Sequence, residues 1–285
     1  MTIKLAEHYG LCFGVRDAIA EAERLAQRGP LTILGELVHN PIVRERLVRA
    51  GVREGSLDRP AATPQVMITA HGASDTARTA WKRSGSGVAD GTCPLVRHAH
   101  DQLRQLVQLG CFPVVIGKPG HVEVQGLVGD FPGALVIHDE ADIAALPHDR
   151  SLGVISQTTQ PIDRVLALVA AIRAARPRSD VRFVDTVCQP TKNRQLAVRK
   201  LIAECDTMVV VGGHNSNNTL QLVAAAEVAG LTVFHVERAD ELRAEWFARS
   251  AVVGLTAGTS TLKETVAEVH ARLNEISRAK KLQTA

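Results

Sequence analysis

Three segments, YGLCFGV around Cys12, DGTCPLV around Cys93 and DTVCQPT around Cys188, each set a cysteine between an extended stretch and a helix start. A loop of Gly, His and Asn follows each cysteine at a nearly constant distance: GELVHN at His39, GKPGHVE at His121 and GGHNSNN at Asn215. A third polar turn comes later, at a distance that lengthens from one segment to the next: TAHGAS at His71, ISQTTQ at Gln157 and TAGTS at Gly258. Matched spacing with faint identity is the mark of one supersecondary plan used three times. It predicts three related lobes, 1–92, 93–187 and 188–285, the last ending in RAKKLQTA as a solvated tail.

The segments between these motifs say what each lobe is made of. Val66–Thr69, Val114–Ile116, Leu135–Ile137, Gly153–Ile155, Met208–Val211, Thr232–His235 and Val252–Leu255 are short, continuous and apolar, as strands buried on both faces are. Helical periodicity lies between them. In Val15–Arg28 the residues Val15, Ala18, Ile19, Ala22, Leu25 and Ala26 share a face, and Gly29-Pro30 stops the helix. Asn40-Pro41 reads as cap and first residue of the next helix, and Thr191–Cys205 and Ser260–Ile276 follow the same pattern. Alternation of strand and helix gives an α/β fold of parallel sheets, in which ligands gather at the carboxyl ends of the strands. Three such lobes facing one another bring three cysteines and three sets of polar loops to one centre.

Composition narrows the function. Net charge is +3 from 33 basic and 30 acidic residues, and aromatic content is 3% with Tyr9 the single tyrosine. Neither a basic arm nor a base-stacking surface is available, so nucleic acid is not the expected partner. No apolar run reaches the ~20 residues that cross a bilayer, and MTIKLAEHYG is no signal peptide, so the expectation is a cytoplasmic protein without membrane contact. No two of the five cysteines have the C-x-x-C spacing of a zinc ribbon or ferredoxin run, and a reducing cytosol disfavours disulfides.

Cys111, entering the strand FPVVIG, and Cys205, in the helical run LIAECDTM, read as small buried hydrophobes. Cys12, Cys93 and Cys188 differ because they repeat one position. Three thiolates without a fixed fourth ligand suit a four-iron cluster with one open iron, or a catalytic zinc with its open position, and spacing leaves both metals open. The loops describe the substrate. His39, His71, His121 and Glu123, Ser216, Asn217, Asn218 and Ser260 supply imidazoles, amides, hydroxyls and helix-start N–H groups of the kind that hold phosphate. Asn218 and Ser260 double as caps in this reading. His98 and His100, on the helix after Cys93, read as packed or surface residues. Neither G-x-x-x-x-G-K-[ST] nor G-x-G-x-x-G occurs, so a redox reaction here takes electrons from a partner protein.

Taken in order, GLCFGV, HN at 39–40, AHG at 70–72, TCPLV, GHVE, SQTT, the stretch from Cys188 to NRQ, NSNN and TAG at 256–258 resemble the 4-hydroxy-3-methylbut-2-enyl diphosphate reductase family over nearly the whole chain. The resemblance implies three α/β lobes around one oxygen-sensitive 4Fe–4S cluster held by Cys12, Cys93 and Cys188. It implies diphosphate contacts at His39, His71, His121, Ser216, Asn218 and Ser260, with Asn217 in the same loop. Glu123 matches the proton donor and Thr158 the threonine beside the substrate hydroxyl. The reaction implied is a two-electron removal of the allylic hydroxyl as water, giving isopentenyl and dimethylallyl diphosphate, with a ferredoxin- or flavodoxin-type donor. Lys118, Val122, Lys192 and Asn217 depart from the usual pattern, and Lys118 is expected to add positive charge to the diphosphate pocket. Two other readings use the same residues. A cluster-dependent hydro-lyase would need no reductant, and a diverged paralogue would bind diphosphate or sense redox state.

Overall fold

The computed structural model describes residues 1–284. β1 (Thr2–Leu5) opens the chain, and three runs of strands follow. The first is β2 (Leu31–Leu34), β3 (Arg53–Gly55), β4 (Gln65–Ile68) and β5 (Gly87–Asp90). The second is β6 (Phe112–Ile116), β7 (Leu135–Ile137), β8 (Leu152–Ser156) and β9 (Val181–Phe183). The third is β10 (Thr207–Val211), β11 (Thr232–Val236) and β12 (Val252–Ala257). They make three four-stranded sheets ordered β3-β2-β4-β5, β7-β6-β8-β9 and β11-β10-β12-β1. Every pairing is parallel, so the α/β expectation is met. The helices α1 (Phe13–Ala26), α2 (Pro41–Arg49), α3 (Asp75–Arg83), α4 (Pro94–Gln108), α5 (Val122–Val128), α6 (Ile162–Ala175), α7 (Gln189–Ile202), α8 (Asn217–Val228) and α9 (Lys263–Thr284) connect them.

The third sheet recruits the first strand of the chain. β1 pairs with β12 from Thr2↔Val252 to Leu5↔Leu255. The three sheets then share one plan, in which the edge strands β5, β9 and β1 run into Cys93, Cys188 and Cys12 respectively. Each cysteine therefore ends a lobe, whereas the sequence spacing places it at the start of one. By packing, the chain divides into two compact units: Met1–Val15, Val38–Arg44 and the chain from Gln189 onward, and Arg16–Leu37 with Glu45–Cys188. The second unit carries two of the sheets, each over its own apolar core, one around Val114, Leu152 and Ile172 and the other around Leu34, Ile68 and Trp81. In the first unit Val209, Phe247, Leu255 and Leu273 form the buried centre.

Four central strands, β6, β8, β10 and β12, fall where their apolar runs place them, within one or two residues, whereas the central strand β2, LTIL, is not among the strands read from the sequence. The edge strands β1, β3, β5 and β9 escape that pattern because TIKL, REG, GVAD and VRF are half-exposed and mixed in polarity. At the C-terminus α9 runs on to Thr284. Arg278, Ala279, Lys281 and Leu282 of the expected tail are exposed on it, while Lys280 Nζ donates to the carbonyls of Phe247 and Ser250 at 3.0 Å. Among the described residues no helix is long and apolar enough to cross a membrane.

Candidate functional site

In the second unit, β4, β6 and β8 end on the loops the sequence singles out. The turn after β4 carries His71. Gly72 there has φ +77°, and a Cβ on it would lie 3.0 Å from Thr92 and 3.2 Å from Val96, so the turn requires glycine. The His71 ring meets that of His121 edge to face, with centroids 5.5 Å apart. His121 caps α5: its Nδ1 accepts from the backbone N–H of Glu123 at 3.1 Å. A neutral imidazole whose Nδ1 accepts carries its proton on Nε2, so His121 offers an N–H donor.

Glu123 is the second residue of α5 and is 1% exposed. Its Oε1 accepts from the N–H of Thr158 at 2.6 Å. Burial disfavours the charged carboxylate more strongly than the Thr158 hydrogen bonds favour it, and the pKa is pushed up to about 7. A buried carboxyl that keeps its proton near neutrality is a general acid in waiting. Gln157, also fully buried, ties the two loops together. Its Oε1 accepts from the N–H of Lys118 at 3.0 Å and from Gln160 Nε2 at 2.9 Å, and its Nε2 donates to Thr159 Oγ1 at 3.2 Å. The Lys118 side chain itself is exposed.

The two cysteines of this unit are held alike. Cys93 N–H donates to Ala70 O at 3.0 Å, and Cys188 N–H to Thr158 O at 2.9 Å. Asp90 braces the approach to Cys93 by accepting from the N–H of Thr92 at 3.0 Å and from Arg78 at 2.6 Å. Asp185 Oδ1 accepts from the N–H of Val187 at 3.0 Å on the approach to Cys188.

The first unit repeats the arrangement. Cys12 N–H donates to Thr259 O at 3.1 Å. Ser216 caps α8 and Asn217 and Asn218 open it, all three buried; the capping place expected of Asn218 belongs to Ser216. Asn218 Oδ1 accepts from the N–H of Thr259 at 3.0 Å, while its buried Nδ2 has no acceptor among the described residues. A buried amide donor without an acceptor is costly, about 1–3 kcal/mol, unless a ligand supplies one. Ser260 Oγ donates to His39 O at 3.3 Å, and Asn40 Nδ2 to Ser260 O at 2.7 Å. Asn40 also caps α2 through the N–H groups of Ile42 and Val43, as its sequence position predicts. The His39 carbonyl passes so close to Gly213 that a Cβ there would collide with it. Asn40 is read from the sequence only as a cap, and Gln157 and Thr259 carry no role there. The signal for the first two lay in the HN and SQTT motifs, but the use of Thr259 is through backbone atoms and leaves no trace in residue type.

Taken one by one, the three cysteines have the chemistry that thiolate ligation of iron needs. Cys12, Cys93 and Cys188 are all thiols and partly exposed, and each follows a strand's carboxyl end and precedes a helix. Cys93 stands at the N-cap of α4, where the helix dipole favours a thiolate. Cys111 is buried as expected. Cys205 is only half-buried, in the turn between α7 and β10, and burial raises its thiol pKa.

The profile described as LytB protein matches residues 3–274. The chain belongs to the LytB family. It is 35% identical to the 4-hydroxy-3-methylbut-2-enyl diphosphate reductase of Aquifex aeolicus, over 96% of both chains. It is 36% identical to that of Burkholderia pseudomallei, over 97% of this chain and 90% of the relative. Among solved LytB structures, the E-1-hydroxy-2-methyl-but-2-enyl-4-diphosphate reductase of Plasmodium falciparum superposes with a TM-score of 0.89 at 25% identity, covering 96% of this chain and 88% of that one. A second, titled (E)-4-hydroxy-3-methyl-but-2-enyl diphosphate reductase, the terminal enzyme of the non-mevalonate pathway, gives 0.69 at 34% identity, covering 96% of this chain and all of that one. The resemblance read from the motifs therefore holds across the LytB fold, all three sheets included.

Proposed function

We propose that this LytB protein is a 4-hydroxy-3-methylbut-2-enyl diphosphate reductase, removing the allylic hydroxyl as water with two electrons and two protons to give isopentenyl and dimethylallyl diphosphate. Cys12, Cys93 and Cys188 hold one 4Fe–4S cluster in this reading. When bound, the cluster supplies the electrons and, at an iron without a protein ligand, a Lewis acid for the hydroxyl oxygen. The observation that carries the proposal is Glu123: a carboxyl 1% exposed, hydrogen-bonded to Thr158, and protonated up to about pH 7.

The chain's own residues divide the remaining work. Glu123 delivers a proton to the leaving oxygen, and Thr158 holds that oxygen in reach. His121 Nε2–H, His71 and His39 donate to the diphosphate. The amide of Asn218, already fixed at its Oδ1 by Thr259, turns its Nδ2 to a phosphate oxygen. Ser216, Asn217 and Ser260 complete that anion site beside the N-terminus of α8, where the helix dipole favours negative charge. Electrons come from a ferredoxin- or flavodoxin-type protein in the cytoplasm.

The test is anaerobic turnover of 4-hydroxy-3-methylbut-2-enyl diphosphate with a strong chemical reductant, with both five-carbon products measured. Formation of both products that depends on reductant is expected. Consumption without reductant would point to the hydro-lyase, and binding without consumption to a diverged paralogue.

A further inference from the structure

The NRQ stretch that completes the family pattern after Cys188 has no part in the chemistry above, yet its arginine is among the most buried charges in the chain. Arg194 lies on the second turn of α7 and is 5% exposed. Its Nη1 donates to the carbonyl of Pro190 at 2.8 Å and its Nη2 to the carbonyl of Gly10. Gly10 is two residues before Cys12, and Pro190 is two residues after Cys188. One planar guanidinium thus grips the chain beside two of the three cysteines. The two bonds leave from different nitrogens of a rigid fork, Nη1 and Nη2, whereas all donors of a lysine share one atom on a flexible stem, so lysine does not reproduce this spacing.

The Cys12 loop explains why such a grip is needed. Gly10 sits at φ +71°, and a Cβ on it would approach Thr261 O at 3.2 Å. On the inner side the loop is stitched to its neighbour strand by Gly10 N–H to Ala257 O at 3.3 Å and Cys12 N–H to Thr259 O at 3.1 Å. Those bonds use N–H groups only. The carbonyl of Gly10 accepts from Arg194. Arg194 and Cys12 also line the same cleft of about 370 Å³, together with Tyr9, Asn193 and Lys263. The buried guanidinium therefore lines the same cleft as the Cys12 thiol.

We infer that Arg194 is a positioning residue for the iron–sulfur centre: it fixes the Cys12 loop for cluster binding, and its charge favours the reduced state. The inference rests on the cluster assignment proposed above. Outer partners of metal ligands typically change affinity by about 10–100-fold, and a nearby cation stabilises the more negative, reduced form of a cluster.

The test compares anaerobically loaded wild type, Arg194→Lys and Arg194→Met. It reads the rate of iron loss to a chelator, the reduction potential and the electron paramagnetic resonance spectrum of the reduced protein. Arg194→Met should lose iron on the order of tenfold faster, with a more negative potential and an altered spectrum. Arg194→Lys should lose iron faster than wild type while keeping a potential close to it, because charge is restored and the two-carbonyl grip is not. An Arg194→Met protein with wild-type potential overturns the inference, whether or not it loses iron faster, because faster loss alone is what general loosening would give. If Arg194→Met yields no soluble protein, Arg194→Lys decides: faster iron loss supports the grip, and wild-type iron loss overturns it. A wild-type protein that holds no iron and sulfide would instead remove the cluster assignment, which separates the two failures.

Discussion

Glu123 and Asn218 stand at the same place in two sheets. Each is the second residue of the helix that follows the second strand of its sheet order, behind the caps His121 and Ser216. Each side-chain oxygen accepts from a threonine N–H in the next loop, Thr158 for one and Thr259 for the other. Each of those threonines gives its carbonyl to a cysteine N–H, of Cys188 and Cys12. The frame is common and the chemistry is not: position 123 holds a buried carboxyl with a raised pKa, proposed above as the proton donor, and position 218 holds an amide whose buried N–H has no acceptor among the described residues, proposed above as an anion ligand. In the first sheet the second residue of the corresponding helix, α2, is Ile42, which can do neither. The fold places a polar atom at the same point twice, and in the proposed function the atom type at that point decides between acid and anion ligand.

Exchanging the two functions is the sharpest way to break the comparison, since Gln and Asp are near-isosteres of Glu and Asn. Glu123→Gln keeps the hydrogen bond from Thr158 but has no proton to give; kcat should fall roughly 10²–10⁴-fold while KM stays near wild type. Asn218→Asp keeps the acceptor for Thr259 and replaces the amide donor by a negative charge. It should weaken diphosphate affinity by about 2–3 kcal/mol, roughly 30–150-fold, with the smaller effect on kcat. Steady-state kinetics on both variants decide; a fall in kcat at Asn218 together with a rise in KM at Glu123 would reverse the assignments.

The pH dependence sharpens the same contrast. An acid with a pKa of about 7 works below that pH, so kcat through Glu123 should decline above pH 7, and that limb should be absent from Glu123→Gln. Stability follows with its own sign. Between pH 4.5 and about 7 the folded chain holds the Glu123 proton that the unfolded chain releases, so this group adds stability as pH falls through that window. His100, buried beside the Arg78 charge, has its pKa lowered to about 4, and it costs stability as pH falls below 6.5. Glu123→Gln leaves the histidine unopposed. Its thermal unfolding temperature should drop more steeply than wild type between pH 7 and 4.5, and a parallel pair of curves would contradict the buried carboxyl.

Smaller effects are expected where this chain departs from the family pattern. Asn217 is buried on the first turn of α8, and Asn217→Ser trades one donor for another, so affinity should change by less than roughly tenfold. Lys118 meets its neighbour Gln157 through its backbone N–H, with its side chain in solvent, so Lys118→Ala should change KM least of all.

Much of the fold is legible in the sequence, for stated reasons. The apolar runs of β6, β8, β10 and β12 have no other use than a buried parallel strand, and Asn40-Pro41 is a helix start by its chemistry alone. What escapes depends on partners distant in sequence. β1 is four residues of mixed polarity, and only its pairing with β12 makes it a strand and moves Cys12 to the end of a lobe. Near the C-terminus Lys280 finds the carbonyls of Phe247 and Ser250, which no local pattern announces. At the candidate site the residue types of Glu123 and Asn218 are readable, but the open Nδ2 of Asn218 and the raised pKa of Glu123 come from burial and from backbone partners. Arg194 reads like any helical arginine until its acceptors at Gly10 and Pro190 are seen.

The central claim is that Cys12, Cys93 and Cys188 serve one cluster. Iron and acid-labile sulfide per chain, measured on protein isolated without oxygen, test it most directly, with each cysteine replaced by serine in turn. The account predicts about four irons and four sulfides in wild type, in Cys111→Ser and in Cys205→Ser, and loss of the cluster in Cys12→Ser, Cys93→Ser and Cys188→Ser. Stoichiometric zinc without sulfide, or a full cluster surviving any of the last three substitutions, would contradict it.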